Sequence, residues 1–319
     1  MDNSVVASVE IDAIVVTYNR LEKLKKALSC YDNQTMPFRN LIVVDNCSTD
    51  GTSEYLEKWK TIVSPKYKKI VVHNSENLGG SGGFAVGERL ALELSPDWLI
   101  VADDDAYVDR DLILNFRNYL KKHNTESIDV ITTAVLNPDK SICVAHRLRH
   151  TNITKTGIGY TVIDESNYDH AEFPVSLFSY VGPIFKFETL KKFGIINADY
   201  FIYNDDTEHS LRILLGGGKV ICVPSLLITH DGNHLTTEAD DVVVSWHHYY
   251  EIRNFSRILI THFPMSVFNQ FYIMFRKYVK YFIYRNPYEL VYANAVRDAV
   301  FGIMGKNKNY PTGWCIKKK

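Results

Sequence analysis

Four short apolar runs, each stopping at a polar residue, constrain this chain more than any other feature. They are residues 13–17 (AIVVT), 41–44 (LIVV, ending at Asp45), 70–73 (IVVH) and 98–102 (WLIVA). Their length and β-branched content read as strands. Leu21, Leu24 and Leu28 fall at helical spacing after the first run, and a helix is predicted from about Gly83 to Leu94. Strands separated by helices imply right-handed βαβ units and a mainly parallel sheet. Ligands of such sheets bind beyond the carboxyl ends of the strands. Tyr18 to Arg20, Asp45-Asn46, residues 77–83 and Asp103 to Asp105 all fall at those ends, so they are expected to form one site.

Asp103, Asp104 and Asp105 follow the fourth run directly. Apposed carboxylates repel unless a cation lies between them, and oxygen donors favour Mg or Mn bridging to phosphate oxygens. A solvated acidic turn is the plain alternative. Residues 77–83 (NLGGSGG) would let backbone approach a ligand at a helix N-terminus. They match neither a dinucleotide fingerprint nor a P-loop, and a plain glycine loop is the competing reading. Asp45 is a candidate acceptor for a base N–H or a ribose hydroxyl, whereas Asp50 reads as a helix cap.

The 319 residues can bury a full core, and a formal net charge of −1 argues against a general nucleic-acid binder. The charge is uneven. Residues 270–319 carry ten Lys/Arg against Glu289 and Asp298, or +8, leaving −9 for residues 1–269. A basic tail behind an acidic body points to an anionic partner surface, with membrane lipid leading. Five scattered cysteines without C-x-x-C spacing fit a reducing cytosol. Asp2, Glu10 and Asp12 interrupt any signal-like apolar stretch, and no run of eighteen apolar residues exists.

Beyond the fourth run, residues 130–135 and 220–228 read as further strands. Residues 140–175 read as irregular strands and loops, and Gly182 interrupts an apolar stretch from Leu177 to Phe187. Residues 241–305 lack strand alternation and read as helical. Within 268–285, Asn269, Gln270, Arg276, Lys277 and Lys280 share one helical face; Phe271, Phe275, Tyr278 and Phe282 fall elsewhere.

Taken in order, VVTYNR (15–20), VVDNCSTDGT (43–52), NLGGSGG (77–83) and DDD (103–105) resemble glycosyltransferase family 2. The set covers about the first hundred residues. Its glycine and triple-Asp variants look most like the galactofuranosyltransferase and rhamnosyltransferase branch. The resemblance implies a GT-A fold, a Rossmann-like mixed, mainly parallel sheet flanked by helices, here followed by a C-terminal helical extension. It implies a catalytic domain over 1–238, split into a nucleotide-sugar half (1–123) and an acceptor half (124–238), and a basic-aromatic helical region over 239–319.

The same resemblance implies roles. Thr17, Tyr18, Arg20, Asp45, Asn77, Gly79, Gly80 and Gly83 would contact the nucleotide sugar. Asp103 and Asp105, with His230 in the segment ITH (228–230), resemble the ligands of a divalent metal, Asp103 also lying near the ribose. Asp104 is grouped with the nucleotide-sugar contacts, although alternation along a strand turns it to the opposite side. The segment YFIYNDDTE (200–208) resembles the acceptor-side motif. There Asp206 matches the catalytic base, Asp205 a neighbour on the acceptor hydroxyls, and Glu208 a supporting acid. Acids capping a helix are the plain alternative. The segment WHHYYEIRN (246–254) resembles a further motif of that branch. It supplies His247, Tyr250, Arg253 and Asn254 as candidates facing the diphosphate or the acceptor, Arg253 toward the diphosphate and His247 and Tyr250 toward the acceptor, with an amphipathic helix as the alternative.

The implied reaction is a single in-line displacement with inversion. Asp206 takes the proton of the acceptor hydroxyl, and a Mn or Mg ion stabilises charge growing on the diphosphate. UDP-galactofuranose is the favoured donor, ahead of dTDP-rhamnose or another UDP-hexose. The acceptor is a bacterial surface glycan, free or lipid-linked. The implied setting is cytoplasmic and peripheral on the inner face of the membrane through residues 268–319, and a homo-oligomer is compatible with the sequence. A nucleotidyltransferase would need a glycine-rich basic loop where Thr17 to Arg20 stand. A non-catalytic nucleotide-sugar-binding module would not need both Asp103/Asp105 and Asp206.

Overall fold

Each of the four apolar runs forms a strand, extended by one or two residues at its ends. The computed structural model describes residues 9–232 and 242–317. Asp2, the expected 238/239 boundary, Lys318 and Lys319 lie outside the described residues.

The first half alternates as expected: β1 (Ile11–Thr17), α1 (Leu21–Asp32), β2 (Asn40–Asp45), α2 (Thr52–Thr61), β3 (Lys68–His73), α3 (Gly79–Leu94), β4 (Trp98–Asp103), β5 (Ala106–Val108), α4 (Leu112–Lys122) and β6 (Val130–Leu136). The middle is more regular than its sequence suggests. It holds β7 (Arg147–Ile153), β8 (Ile158–Val162), β9 (Phe173–Val175), β10 (Leu177–Phe178) and β11 (Pro183–Lys186), then α5 (Phe187–Phe193), α6 (Asp205–Leu215) and β12 (Val220–His230). The C-terminal region is not wholly helical: β13 (Val242–Ser245) precedes α7 (Trp246–His262), α8 (Ser266–Tyr284) and α9 (Pro287–Phe301), and β14 (Cys315–Lys317) pairs back onto β13.

The main sheet runs β3-β2-β1-β4-β11-β6-β12-β5, with β9 also on β12. Its first four strands are parallel, β11 is antiparallel to both neighbours, and β6 and β12 are parallel. A three-stranded antiparallel sheet, β10-β7-β8, occupies the stretch read as irregular. Strands β1, β2 and β4 are buried on both faces, which is why their sequences are continuous apolar runs rather than alternating ones. Odd and even positions feed different cores. Ala13, Val15, Leu41 and Val43 pack with α1, α2 and α4 through Leu24, Leu56 and Phe116. Ile14, Val16, Ile42 and Val44 pack with α3, α5 and α6 through Phe84, Leu190 and Ile213.

Register fixes the rim. Thr17 pairs with Asp45, Asp45 with His73, and Val16 with Asp103. The carboxyl ends of four strands therefore come level, and the polar residues that stop each run share one edge. At the far side His230 pairs with Ala106, immediately after the acidic turn.

The glycine run is not a loop ahead of a helix. Gly79 opens α3, and Gly79 to Gly83 form its first turn. Gly79 has φ +74°, and a Cβ there would stand 1.9 Å from the Phe201 carbonyl oxygen. A Cβ on Gly80 would meet nothing within 4 Å. Gly79→Ala is expected to lose about 2 kcal/mol or more of stability, while Gly80→Ala stays within about 1 kcal/mol of the parent. Urea unfolding of the two variants side by side checks this.

Candidate active site

One cleft of about 1620 Å³ opens beyond the carboxyl rim of the sheet. Of the residues singled out above, Arg20, Gly80, Asp103, Asp105, Asp205, Asp206, His230 and His247 line it. The two acidic groups, from β4 and from α6, thus face a common space. They also feel each other, since the Asp205 charge helps raise the pKa of Asp103.

The acidic turn divides its three carboxylates by environment. Asp104 turns away from the cleft, accepting a bond from Thr17 Oγ1 at 2.7 Å and one from Arg20 at 3.4 Å. Burial pushes it up to about 6 against the pull of Arg20 and Thr17. Asp105 is buried too, but His230 Nε2 at 3.3 Å, Arg20 Nη1 at 2.8 Å and Lys23 Nζ at 3.4 Å surround it. These partners outweigh burial and hold it well below the usual carboxylate range. Asp103 is the opposite case. Burial first, then the charges of Asp105 and Asp104, push it well up. Its side chain accepts no hydrogen bond from the described residues.

Such a carboxylate is where a cation gains most. The donor chemistry fits a hard divalent ion: Asp103 and Asp105, with the His230 imidazole beside them. Among the described residues, no group of three or more His, Cys, Asp or Glu side chains forms a ready-made cage. This suits Mg or Mn, which are commonly held by one or two carboxylates plus substrate phosphates. His230 lines the same cleft, its Nε2 3.3 Å from Asp105 Oδ1.

Across the cleft, Asp205 and Asp206 are the first residues of α6. The turn before them is strained: Phe201, Tyr203 and Asn204 have φ of 65°, 66° and 60°, which non-glycine residues rarely adopt. Two consecutive residues of α7 hold it. Asn254 Nδ2 reaches the carbonyls of Tyr200, Ile202 and Tyr203 at 3.0, 2.7 and 2.8 Å. Arg253 bonds the Tyr200 carbonyl at 2.9 Å and the Gly305 carbonyl at 2.5 Å. This corrects the expectation for Arg253 and Asn254. The Arg253 guanidinium and the Asn254 amide are fully buried against backbone carbonyls and do not face a diphosphate or an acceptor.

Burial raises both carboxylates at the start of α6. Asp205 is pushed up to about 7 by burial and then by the Asp206 charge. Asp206 is raised by burial, against bonds from Thr207 and the Tyr180 backbone. Its Oδ1 accepts the Thr207 N–H at 2.6 Å. A carboxylate with a raised pKa is a stronger base, the property a proton acceptor needs near neutral pH.

Other candidates are built into the surroundings of the cleft and do not line it. Tyr250 is buried, with its hydroxyl accepting from Asn307 N at 2.8 Å. Glu208 is tied to Arg212 and His262, both at 3.0 Å. Asp45 accepts from Ser48 N at 2.9 Å, from Ser53, and from His73 at 3.0 Å. Asn77 accepts from Gly79 N at 2.8 Å, shaping the start of α3. Gly83 lets α3 approach β1, since a Cβ there would stand 2.6 Å from Val16. Thr17 is spent on Asp104, and Tyr18 is 40% exposed outside the cleft lining. Asp50, by contrast, does line the cleft; Gly51 is the N-cap of α2, and Asp50 accepts from Leu21 N, the first residue of α1, and from Thr52 Oγ1 at 2.9 and 2.6 Å.

The sequence reading missed a buried relay behind Asp206. Tyr180 lines the cleft, donates to Glu88 at 2.8 Å and lies 2.5 Å from His209 Nδ1. Burial pushes Glu88 up to about 7 and the His209 imidazole down to about 3. A glutamate among the apolar residues of α3 was the available signal. Also missed was an aromatic wall. Trp246 and His247 lie 3.9 Å apart, Tyr203 bonds His247 at 2.7 Å, and Trp314 joins them through its carbonyl, 2.9 Å from Trp246 N. Its signal was Trp314, an isolated tryptophan near the basic end of the chain.

A mainly parallel sheet with an acidic turn on a central strand, facing an acidic helix start, is the arrangement of the GT-A fold. Residues 12–166, just under half of the chain, match the family model Glycosyl transferase family 2. Galactofuranosyltransferase GlfT1 of Mycolicibacterium smegmatis is 28% identical over 207 residues, 64% of this chain and 65% of that one. The chain therefore spans just under two thirds of that relative's length. GalNAc-T7, solved with UDP, GalNAc and Mn2+, superposes with a TM-score of 0.58 at 14% identity, covering 91% of this chain and 54% of that one. TarS 1–349 of S. aureus in complex with UDP gives 0.52 at 16% identity, covering 92% of each. At these identities the structural likeness shows the fold alone.

Loss of the α7 clamp tests how the base is presented. Asn254→Ala leaves buried carbonyls without a donor and is expected to cost about 2–4 kcal/mol. Thermal unfolding measures that cost. Donor affinity, read by calorimetry below the melting point, is expected to hold.

Proposed function

We propose that the protein is an inverting, metal-dependent glycosyltransferase that moves a hexose from a nucleotide donor to a glycan hydroxyl. One observation carries the reading: Asp103 and Asp105 share a cleft with the raised pair Asp205 and Asp206. A binding module has no use for a strained, clamped turn that presents a basic carboxylate. The GlfT1 relative supports galactofuranose as the sugar, and UDP in the GalNAc-T7 and TarS structures supports a uridine diphosphate leaving group. A rhamnosyl or other hexosyl donor is the second choice within the same mechanism.

In this reading the acceptor hydroxyl lies between Asp206 and the anomeric carbon. Asp206 takes its proton as the oxygen attacks from the face opposite the nucleotide. The bond to the diphosphate oxygen breaks, and that group leaves as an anion. Arg20 and Lys23, both lining the cleft beside the acidic turn, take the role expected of Arg253 and face the departing negative charge. A divalent ion held by Asp103 and Asp105 would supply further charge stabilisation there. Tyr203, Trp246 and Trp314 offer apolar faces to the sugar rings and keep water from the reacting centre.

Asp206→Asn is expected to lower turnover roughly 10²–10⁴-fold while donor affinity holds. Unchanged turnover would return the chain to the binding-module reading. The base must be ionised, so the rate is expected to fall as pH drops through the raised pKa of Asp206, above the usual carboxylate range. Asp205→Asn removes the like charge beside Asp206, and the acid limb of the profile is expected to shift to lower pH.

Donor affinity is expected to rise on adding Mn or Mg, and Asp105→Ala to remove that dependence. Calorimetry with a panel of nucleotide sugars, with and without metal, reads both donor identity and metal linkage. A metal effect that survives in Asp105→Ala would defeat the assignment of the ion.

A further inference from the structure

Helix α8 is turned the wrong way for a helix facing water. Its polar positions Gln270 and Lys277 point inward; Lys277 pairs with Glu289 at 2.9 Å and lies 4.0 Å from the Tyr292 ring. Its outward face is Phe268, Phe271, Tyr272, Phe275, Phe282 and Ile283, with Phe268 and Phe275 70% and 67% exposed. The patch runs on to Phe301 at the end of α9, whose ring meets Phe271 at 6.3 Å, and to Ile303. Contiguous exposed apolar surface of this kind marks an interaction face.

Charge selects the partner. Helix α8 contains no Asp or Glu; Arg276 and Lys280 border the aromatic face along one edge, and Arg285 follows its end. Two copies meeting through this face would bring two +8 regions together. An anionic bilayer meets the apolar face and the basic edge at once. Nineteen residues give a helix about 28 Å long, suited to lying in the interface plane. No helix of the described residues is long and apolar enough to cross a membrane.

We propose that α8 lies in the surface of an anionic bilayer, its aromatic face at the acyl boundary and Arg276, Lys280 and Arg285 against lipid headgroups. Tyr292, which Lys277 covers from behind, lines the cleft. The bilayer would then lie behind one cleft wall, within reach of an acceptor carried on lipid. Bilayer attachment itself is independent of the glycosyl-transfer reading, because vesicle binding and turnover are read separately.

The test uses the full chain with vesicles of phosphatidylcholine, with and without phosphatidylglycerol, in sedimentation at low and high salt. The parent is expected to partition onto the anionic vesicles with at least about a tenfold preference, weakened by salt. The triple variant Arg276→Gln, Lys280→Gln, Arg285→Gln is expected to lose that preference, at roughly fivefold per charge. The variant Phe268→Ser, Phe275→Ser, Phe282→Ser is expected to lose at least about tenfold in binding to both compositions. Unchanged melting and donor binding in both variants show that folding is intact. A parent that stays in the supernatant with anionic vesicles at low salt overturns the proposal. So does a phenylalanine variant that binds as well as the parent. Dimerisation abolished by the phenylalanine substitutions, without vesicle binding, also overturns it and assigns the face to a second copy.

Discussion

The presentation of the acidic pair depends on one contact: the Asn254 amide against the backbone carbonyls of Tyr200, Ile202 and Tyr203 in the strained turn before α6. Three non-glycine residues at positive φ would relax if left alone, at a cost of about 1–3 kcal/mol each to keep them there. The clamp removes that freedom. Arg253 extends the hold to Gly305, so the segment after α9 is tied to the same turn. Phe201 packs in the core of the C-terminal region with Tyr250, Val291 and Ala295. The helices behind α6 therefore act as a splint for two carboxylates whose burial would otherwise pull the turn apart.

Asp105 and the Asp205/Asp206 pair are tuned in opposite directions by their neighbours. Asp105 is surrounded by Arg20, Lys23 and His230 and stays ionised. Asp205 and Asp206 have only hydrogen-bond donors and the start of a helix to offset burial and mutual repulsion. One carboxylate is held low and the other pair raised, within one cavity.

Where sequence and structure agree, the cause is local. Continuous apolar runs that stop at Thr17, Asp45, His73 and Asp103 reveal central strands and their shared rim, because parallel register follows from the runs themselves. The cleft positions of Asp206 and Asp103 were legible because each stands at the end of an element that reaches the common rim. Arg253 and Tyr250 were misread because a charged or hydroxyl-bearing residue beside a functional motif looks the same whether it faces a ligand or a backbone carbonyl. Only the packing of α7 on the turn separates the two. The Tyr180–Glu88–His209 relay joins residues 92 and 29 positions apart, and nothing in their local spacing announces it. The polar set of 268–285 is divided in the structure: Gln270 and Lys277 turn inward while Asn269 and Arg276 stay exposed, because periodicity does not say which side meets the protein.

The pairing of β14 with β13 has a consequence for biosynthesis. Gly313, Trp314 and Cys315 lie on the cleft wall, yet they leave the ribosome after every other part of that wall. A nascent chain can assemble the sheet and the acidic turn while the last panel of the pocket is still missing. Closure of the cleft therefore waits on the synthesis and pairing of β14, and without residues 313–315 that wall stands open to water.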